Sequence, residues 1–256
     1  MESSSRRQVR ERLAQQKARE ARRRRLRLWL MGAAAAVIVA AAAVGGTLGF
    51  SGGGATASSS APPLPLAPLG TLGTLRPAPS PGPDGSEGVP VPGAAPLAGT
   101  VAATAGQSID GIGCQTSEQT LFHIHAHLAI FVNGSPRQVP AAVGIPGAVA
   151  QNTPQGPFIG SGNCFYWLHT HAPDGIIHIE SPVQRTYTLG EFFDEWGQPL
   201  GPDQAGPAKG HVTAIYNGQV FRGNPRGIPL AAHAQIQLAV GAPLVAPVSI
   251  TWPGGL

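Results

Sequence analysis

Hydrophobic and polar residues alternate along the segment FHIHAHLAIFV, residues 122–132. One set of alternate positions is aliphatic, and the other set begins with His123, His125 and His127. A period of two is typical of a β-strand that turns one face to the core. Asn-Gly follows directly and is the favoured two-residue hairpin turn, so we expect the chain to return along SPRQVP.

The same period recurs further along the chain. CFYWLHTH and IIHIES flank an Ala-Pro-Asp-Gly turn, and VTAIYNGQVFRG repeats the arrangement of strand, Asn-Gly and strand. HAQIQLAVG is a last strand candidate. A series of hairpins predicts an all-β fold, either a sandwich or a small barrel of hairpins.

One segment, TLGEFFDEWGQPLG, has a helical pattern instead. Thr188 is a preferred N-cap residue and Glu191 follows three residues later, as in a capping box. Gly197 provides a stop signal after a run of aromatic residues. The predicted fold therefore includes one short helix.

Charge and hydropathy divide the remaining sequence. Eleven of the 17 Lys and Arg residues lie in residues 1–27, directly before 23 uncharged residues at 28–50. Residues 28–50 are long enough to cross a hydrocarbon core of about 30 Å, so they predict a single transmembrane helix. The positive-inside rule keeps residues 1–27 in the cytoplasm and places the rest of the chain outside. Without a nucleic-acid recognition fold, this basic segment is expected to contact anionic lipid and not nucleic acid.

Two other export signals are alternatives for the same residues. A cleaved signal peptide usually has a shorter apolar region of about 7 to 15 residues, although Ala-Thr-Ala at residues 55–57 offers a cleavage site. A twin-arginine signal would use the arginines before the apolar run. Under each alternative the bulk of the chain lies outside the cytoplasm.

Residues 51–107 consist almost entirely of Gly, Ala, Pro, Ser, Thr, Leu and Val. Such a composition buries too little apolar surface to offset about 1 to 2 kcal/mol of backbone entropy per residue. We therefore predict a disordered linker at 51–107 and a β-rich extracytoplasmic domain at 108–256.

Both cysteines lie in this predicted domain. A pair of thiols outside the cytoplasm normally oxidises, so a disulfide between Cys114 and Cys164 is predicted. In the alternative, Cys164 is a metal thiolate near His169 and Cys114 is unpaired.

The histidines of the first strand suggest a metal site. Residues two apart on a strand lie about 6.5 to 7 Å apart on one side, so two imidazoles can converge on one ion. His123 and His127 are about 13 Å apart, which favours His125 as a ligand with either neighbour.

The second hairpin adds further candidates, and its register depends on the loop. A four-residue loop pairs His169 with His178, and a two-residue loop pairs His171 with His178. Both registers place these histidines and Glu180 on one face. The predicted metal ligands are His123, His125, His127, His169, His171, His178 and Glu180.

The type of metal follows from the available donor atoms. The only methionines are Met1 and Met31, so the domain has no thioether site for Cu(I). A disulfide also removes the thiolate that a blue-copper centre needs. Imidazole with carboxylate suits a divalent metal, and we expect zinc ahead of copper. His211 and His233 fall outside the clustered pattern and are expected to be ordinary histidines.

Together, HIHAHLAIFVNG, LHTHAPDGIIHIESP and YTLGEFFDEWGQPL resemble the motifs of an uncharacterised family of bacterial and archaeal exported or membrane-tethered domains. The resemblance covers about residues 114 to 240. It implies an exported or tethered domain and no particular activity.

Three functional hypotheses follow. The first is a membrane-anchored extracytoplasmic metal-binding domain for zinc or copper. The second is a hydrolase- or hydratase-type metalloenzyme with an open metal position and Glu180 or Asp174 as general base. The third is a metal-free interaction domain on a stalk, whose histidines sense acid. The sequence names neither a substrate nor a protein partner.

Overall fold

A computed structural model describes residues 63–100 and 107–256. Within these ranges, eight strands form the main sheet, in the order β1-β14-β13-β15-β3-β9-β8 with β4 beside β3. All neighbours are antiparallel except β15 and β3, which run parallel. The strands of this sheet are β1 (Leu66–Ala67), β3 (Phe122–Val132), β4 (Ser135–Arg137), β8 (Leu168–His169), β9 (Ile176–Ser181), β13 (Val212–Tyr216), β14 (Gln219–Phe221) and β15 (Ala234–Val240).

Smaller elements surround the main sheet in the described residues. The short strands form one three-stranded sheet, β10-β11-β12, and two pairs, β2-β7 and β5-β6. Their bounds are β2 (Cys114–Gln115), β5 (Val149–Thr153), β6 (Gly156–Ser161), β7 (Phe165–Tyr166), β10 (Leu200–Gly201), β11 (Gln204–Ala205) and β12 (Ala208–Lys209). The helices are α1 (Leu189–Trp196) and two 3-10 turns, η1 (Leu69–Leu72) and η2 (Pro225–Gly227).

The prediction of a mostly β structure with one short helix is confirmed for the described residues. Both Asn-Gly turns are present, and each residue of Asn133-Gly134 and Asn217-Gly218 has a positive φ. Turns with two positive φ values match the twist of the flanking strands, and Asn and Gly adopt them most readily. The main sheet is not a simple series of hairpins, because β15 inserts between β13 and β3 and pairs with β3 in parallel.

The sheet has one face on the main core. Ala126, Leu128 and Ile130 of β3 lie on this face and are buried. Helix α1 packs against the same core through Phe192, Phe193 and Trp196. The opposite face of β3 therefore carries the histidines, as the alternation predicts.

Helix α1 begins and ends where the sequence predicts. The side chain of Thr188 accepts a hydrogen bond from the Glu191 amide, and the Glu191 side chain accepts one from the Thr188 amide. Gly197 follows in the left-handed conformation with φ of 70°. This capping box and glycine stop hold a helix of eight residues whose isolated stability would be marginal.

Glu195 is a buried carboxyl among the apolar residues on the buried side of this helix. Burial, and then the nearby Glu191 carboxylate, raise the pKa of Glu195 well above its usual range. In the unfolded chain Glu195 loses its proton above a pKa of about 4.3. The folded protein therefore keeps this proton up to a higher pH than the unfolded chain does. The stability from this group is fully present below pH 4.3 and is lost as pH rises through the folded-state pKa.

We expect Glu195→Gln to raise the free energy of unfolding at pH 8 by about 1–3 kcal/mol, because a neutral amide needs no proton. The gain should shrink as pH falls towards 4. Urea unfolding at several pH values measures it, with the exposed Asp203→Asn as control. A gain that is constant with pH would contradict the assigned cause.

The disulfide between Cys114 and Cys164 is present, as predicted. Cys114 lies in β2, which pairs with β7 directly after Cys164. The cross-link therefore fixes the strand that leads into His169. Because both sulfurs are bonded to each other, Cys164 is not a free thiolate for a metal.

Residues 63–100 differ from the disordered linker that the sequence predicts for 51–107. They belong to the same compact unit as the rest of the described chain. β1 adds to the edge of the main sheet beside β14, and Arg76 pairs with Val245. Some of the segment's backbone groups bond within its own turns, as the Gly85 amide does to the Val89 carbonyl. Others bond to the rest of the chain, as the Arg76 amide does to the Leu244 carbonyl and the Leu97 amide to the Gln138 carbonyl. We call residues 63–100 the strap.

The predicted transmembrane helix at 28–50 and the basic segment at 1–27 lie outside the described residues. Among the residues that are described, no helix has the length and apolar character needed to cross a bilayer.

Candidate metal centre

Three strands bring the candidate ligands together on the sheet face away from α1. In the register between β3 and β9, His123 lies opposite Glu180 and His125 lies opposite His178. β8 then places His169 opposite His178 on the other side of β9. This is the register predicted for a four-residue loop at 172–175. The period of two in β3 and β9 thus puts their ligands on one surface with His169, and His171 follows just beyond the end of β8.

The first group of ligands comprises His123, His125, His178 and Glu180, whose donor atoms lie within 4.8 Å of one another. His123 Nε2 lies 3.0 Å from His125 Nε2 and 3.1 Å from Glu180 Oε1. His125 Nε2 lies 3.1 Å from His178 Nδ1. Only His123 has an exposed side chain, at 37 %. This group therefore opens to solvent on one side.

The second group comprises His169, His171, His178 and Glu180, also within 4.8 Å, and all four are buried. His169 Nε2 lies 3.2 Å from His171 Nε2 and 4.0 Å from Glu180 Oε2. The ring of Phe158 stacks on His171 with centroids 4.7 Å apart. The hairpin β5-β6 thus covers this side of the centre.

Hydrogen bonds to the backbone fix the tautomers of two histidines. His169 Nδ1 donates to the Tyr166 carbonyl at 2.8 Å, and His171 Nδ1 donates to the Ile159 carbonyl. A carbonyl oxygen only accepts, so each Nδ1 carries the ring proton. In the neutral rings both Nε2 atoms then have lone pairs, which face each other across 3.2 Å. Metal-ligating histidines are held in this way.

Burial keeps these rings neutral. Burial, and then the positive charge of His178, lower the pKa of His169 well below its usual range. The same two causes lower the pKa of His171, and they lower that of His125 to about 3. Neutral imidazole is the form that binds a metal ion.

His178 differs from its neighbours. Burial acts to lower its pKa, but hydrogen bonds to Glu180 and Glu87 outweigh burial and raise it to about 9. In the metal-free protein an imidazolium therefore lies between two buried carboxylates. A metal ion that takes the place of one of its protons would release that proton to solvent.

Glu87 is part of the centre, and the sequence reading missed it. It lies in a tight turn of the strap, where the Gly88 amide donates to the Gly85 carbonyl. Its Oε1 lies 2.7 Å from His178 Nε2, and its side chain is only 4 % exposed. The low-complexity composition of residues 51–107 predicted disorder, so Glu87 was not predicted as part of a site. Asp84 and Glu87 are nevertheless the only acidic residues in residues 51–107.

Glu118 is a second carboxylate that the sequence reading missed. Its Oε1 lies 3.6 Å from His171 Nε2, and its side chain is 39 % exposed. Burial, and then the Glu180 carboxylate, raise the pKa of Glu118. It therefore lies at the solvent-facing edge of the second group.

His127 was predicted as a ligand, but the structure places it in neither group. It lies opposite Ile176, one pleat beyond His125, and its Nε2 donates to the Asp174 carbonyl at 3.1 Å. Asp174 is also outside both groups, and its Oδ1 accepts from the Ile176 amide at 3.0 Å. These two residues therefore shape the turn beside the centre.

The two remaining histidines belong to neither group, although the His233 amide donates to the His125 carbonyl at 2.8 Å. The side chain of His211 is 78 % exposed, 3.9 Å from Asp203. His233 stacks on Trp252 with ring centroids 4.7 Å apart. His211 is therefore a suitable control for experiments on the clustered histidines.

Comparisons of the chain with protein-family models, with curated proteins and with solved structures found no match.

Proposed function

We propose that this protein is a membrane-anchored extracytoplasmic domain that binds zinc or copper through its clustered strand histidines. The observation that carries the proposal is the pair of facing Nε2 atoms of His169 and His171. Two lone pairs at 3.2 Å repel, and a cation bound by both nitrogens would remove this repulsion. Both rings are too deeply buried to take up a proton readily, so a metal ion is the cation that fits.

The donor set favours zinc, with copper as the alternative. Imidazole nitrogens and a carboxylate suit both ions, and no thioether or free thiol is available in the described residues. The disulfide supports a location outside the cytoplasm, because reducing compartments rarely keep structural disulfides. Membrane anchoring is proposed from residues 28–50 and their basic flank.

Metal analysis of the full-length chain tests this function. The protein would be purified in detergent without a histidine tag, stripped with a chelator and reloaded with Zn(II) or Cu(II). We expect stoichiometric metal in the wild type, a loss of at least half in His169→Ala/His171→Ala, and no change in His211→Ala. Wild-type protein that remains empty after reloading would refute the proposal.

Glu87 should contribute to metal affinity through His178. A carboxylate that accepts a hydrogen bond from one ring nitrogen orients the other nitrogen towards the metal. We expect Glu87→Gln to weaken metal binding by about 10- to 100-fold, measured by competition with a chromophoric chelator. Asp84→Asn, an exposed change in the same turn, is the matched control. Equal affinities in the two variants would remove Glu87 from the centre.

A further inference from the structure

The centre holds more ligands than one ion uses. A zinc or copper ion of the kind proposed here takes about four protein ligands. Six residues occupy the two groups, and the groups share only His178 and Glu180. The pair His123 and His125 belongs to one group, and the pair His169 and His171 belongs to the other. The ligands are thus divided between two neighbouring positions.

The carboxylate of Glu180 lies between these positions with one oxygen towards each. Oε1 is 3.1 Å from His123 Nε2 and 3.5 Å from His178 Nδ1. Oε2 is 4.0 Å from His169 Nε2, is buried, and has no hydrogen-bond partner. A buried carboxylate oxygen without a partner is costly, and a cation at the second position would satisfy it.

From this arrangement we propose that the centre binds two divalent metal ions bridged by the Glu180 carboxylate. The inference rests on the proposed function and extends it from one ion to two. One ion is held by His169 Nε2, His171 Nε2 and Glu180 Oε2. The other is held by Glu180 Oε1 together with His123 and His125. Metal ions bridged in this way lie about 3.5–4 Å apart.

His178 completes the coordination of the second ion. Its Nε2 is occupied by Glu87, so its Nδ1 is the nitrogen left for a metal. That Nδ1 lies 3.1 Å from His125 Nε2, on the side of the solvent-exposed ion. Glu118, 3.6 Å from His171 Nε2, can supply the buried ion with a fourth ligand.

The charges near the centre also fit two ions. Three carboxylates, those of Glu87, Glu118 and Glu180, lie within 4.0 Å of its histidines. With neutral imidazoles, they offset three of the four positive charges of two divalent ions. Two divalent ions therefore leave a net charge of +1 and one ion leaves a net charge of −1, so two ions are as close to neutrality as one.

Copper loading of the stripped full-length chain tests the inference. We expect two equivalents of Cu(II) in the wild type and one equivalent in each of His123→Ala/His125→Ala and His169→Ala/His171→Ala. His211→Ala should keep two. One equivalent in the wild type would overturn the two-ion centre and leave the proposed function intact. No bound copper, with no bound zinc in a parallel loading, would refute both.

Electron paramagnetic resonance of the copper-loaded wild type tests the two-ion centre without depending on whether a variant folds. Two Cu(II) ions bridged by a carboxylate interact, so the integrated signal should fall below that of the copper present and broaden. In His123→Ala/His125→Ala the remaining ion should give the sharp spectrum of an isolated Cu(II). A wild-type spectrum of two non-interacting ions would overturn the bridge by Glu180.

Discussion

Saturating Zn(II) or Cu(II) is expected to raise the free energy of unfolding of the wild-type protein by about 4 kcal/mol. A ligand that binds only the folded state at about a thousandfold excess over its Kd contributes this amount. For a folded unit of this size the melting temperature should rise by about 8–16 °C. The ligands come from three strands and are assembled only by folding, so the unfolded chain offers no comparable site.

Thermal unfolding with metal and with excess chelator measures this effect. In His169→Ala/His171→Ala the rise should be clearly smaller, because the two best-fixed ligands are absent. In His211→Ala the full rise should remain, because that histidine lies far from the centre and is exposed. A wild-type melting temperature that no divalent ion moves would contradict the metal-binding function.

Removal of the disulfide is expected to lower the free energy of unfolding by roughly 4 kcal/mol, from the entropy of closing a loop of this size. Cys114 and Cys164 are separated by 50 residues, and β2 pairs only with β7 in the described part of the chain. The variant Cys114→Ser/Cys164→Ser should therefore unfold at much lower urea concentration than the wild type.

The same variant should also bind metal more weakly. Cys164 directly precedes β7, and the Tyr166 carbonyl in β7 accepts a hydrogen bond from His169 Nδ1. A looser β7 would free the His169 ring to rotate. Wild-type protein treated with a reductant should behave like the serine variant, and the serine variant should not respond to reductant. A loss of stability below about 1 kcal/mol would show that other contacts hold this strand.

Local patterns in the sequence predicted much of the fold around the centre. The alternation along β3 set which side chains face the core, because successive residues of a strand point to opposite faces. The Asn-Gly turns set the hairpin registers, and Thr188 with Gly197 set the helix ends. Each of these features depends on residues that are close in the chain.

The make-up of the centre was predicted only in part. Six of the seven predicted ligands lie in the two groups, and His127 does not. The alternation shows that His127 shares a face with His125, but it does not show where along that face the other strands end. The position of β8 decides this, since His169 lies opposite His178 and not opposite Ile176.

Interactions between distant segments were beyond the reach of local patterns. HAQIQLAVG is recognisable as a strand, but nothing in it specifies parallel pairing with β3. The composition of the strap indicates disorder, because its own residues cannot form a core. In the tertiary structure the edge of the sheet supplies backbone hydrogen-bond partners for the strap. The strap then places the Glu87 carboxylate beside His178.

The sequence by itself thus determined the long strands β3, β9 and β15, both Asn-Gly hairpins, the capped helix and the face on which the histidines lie. These follow from backbone geometry and from side-chain preferences over a few residues. Only the tertiary structure decided which histidines converge, which tautomers they hold and which carboxylates accompany them. Those properties depend on distances between segments as far apart as Glu87 and His178, and such distances are fixed only when the sheet assembles.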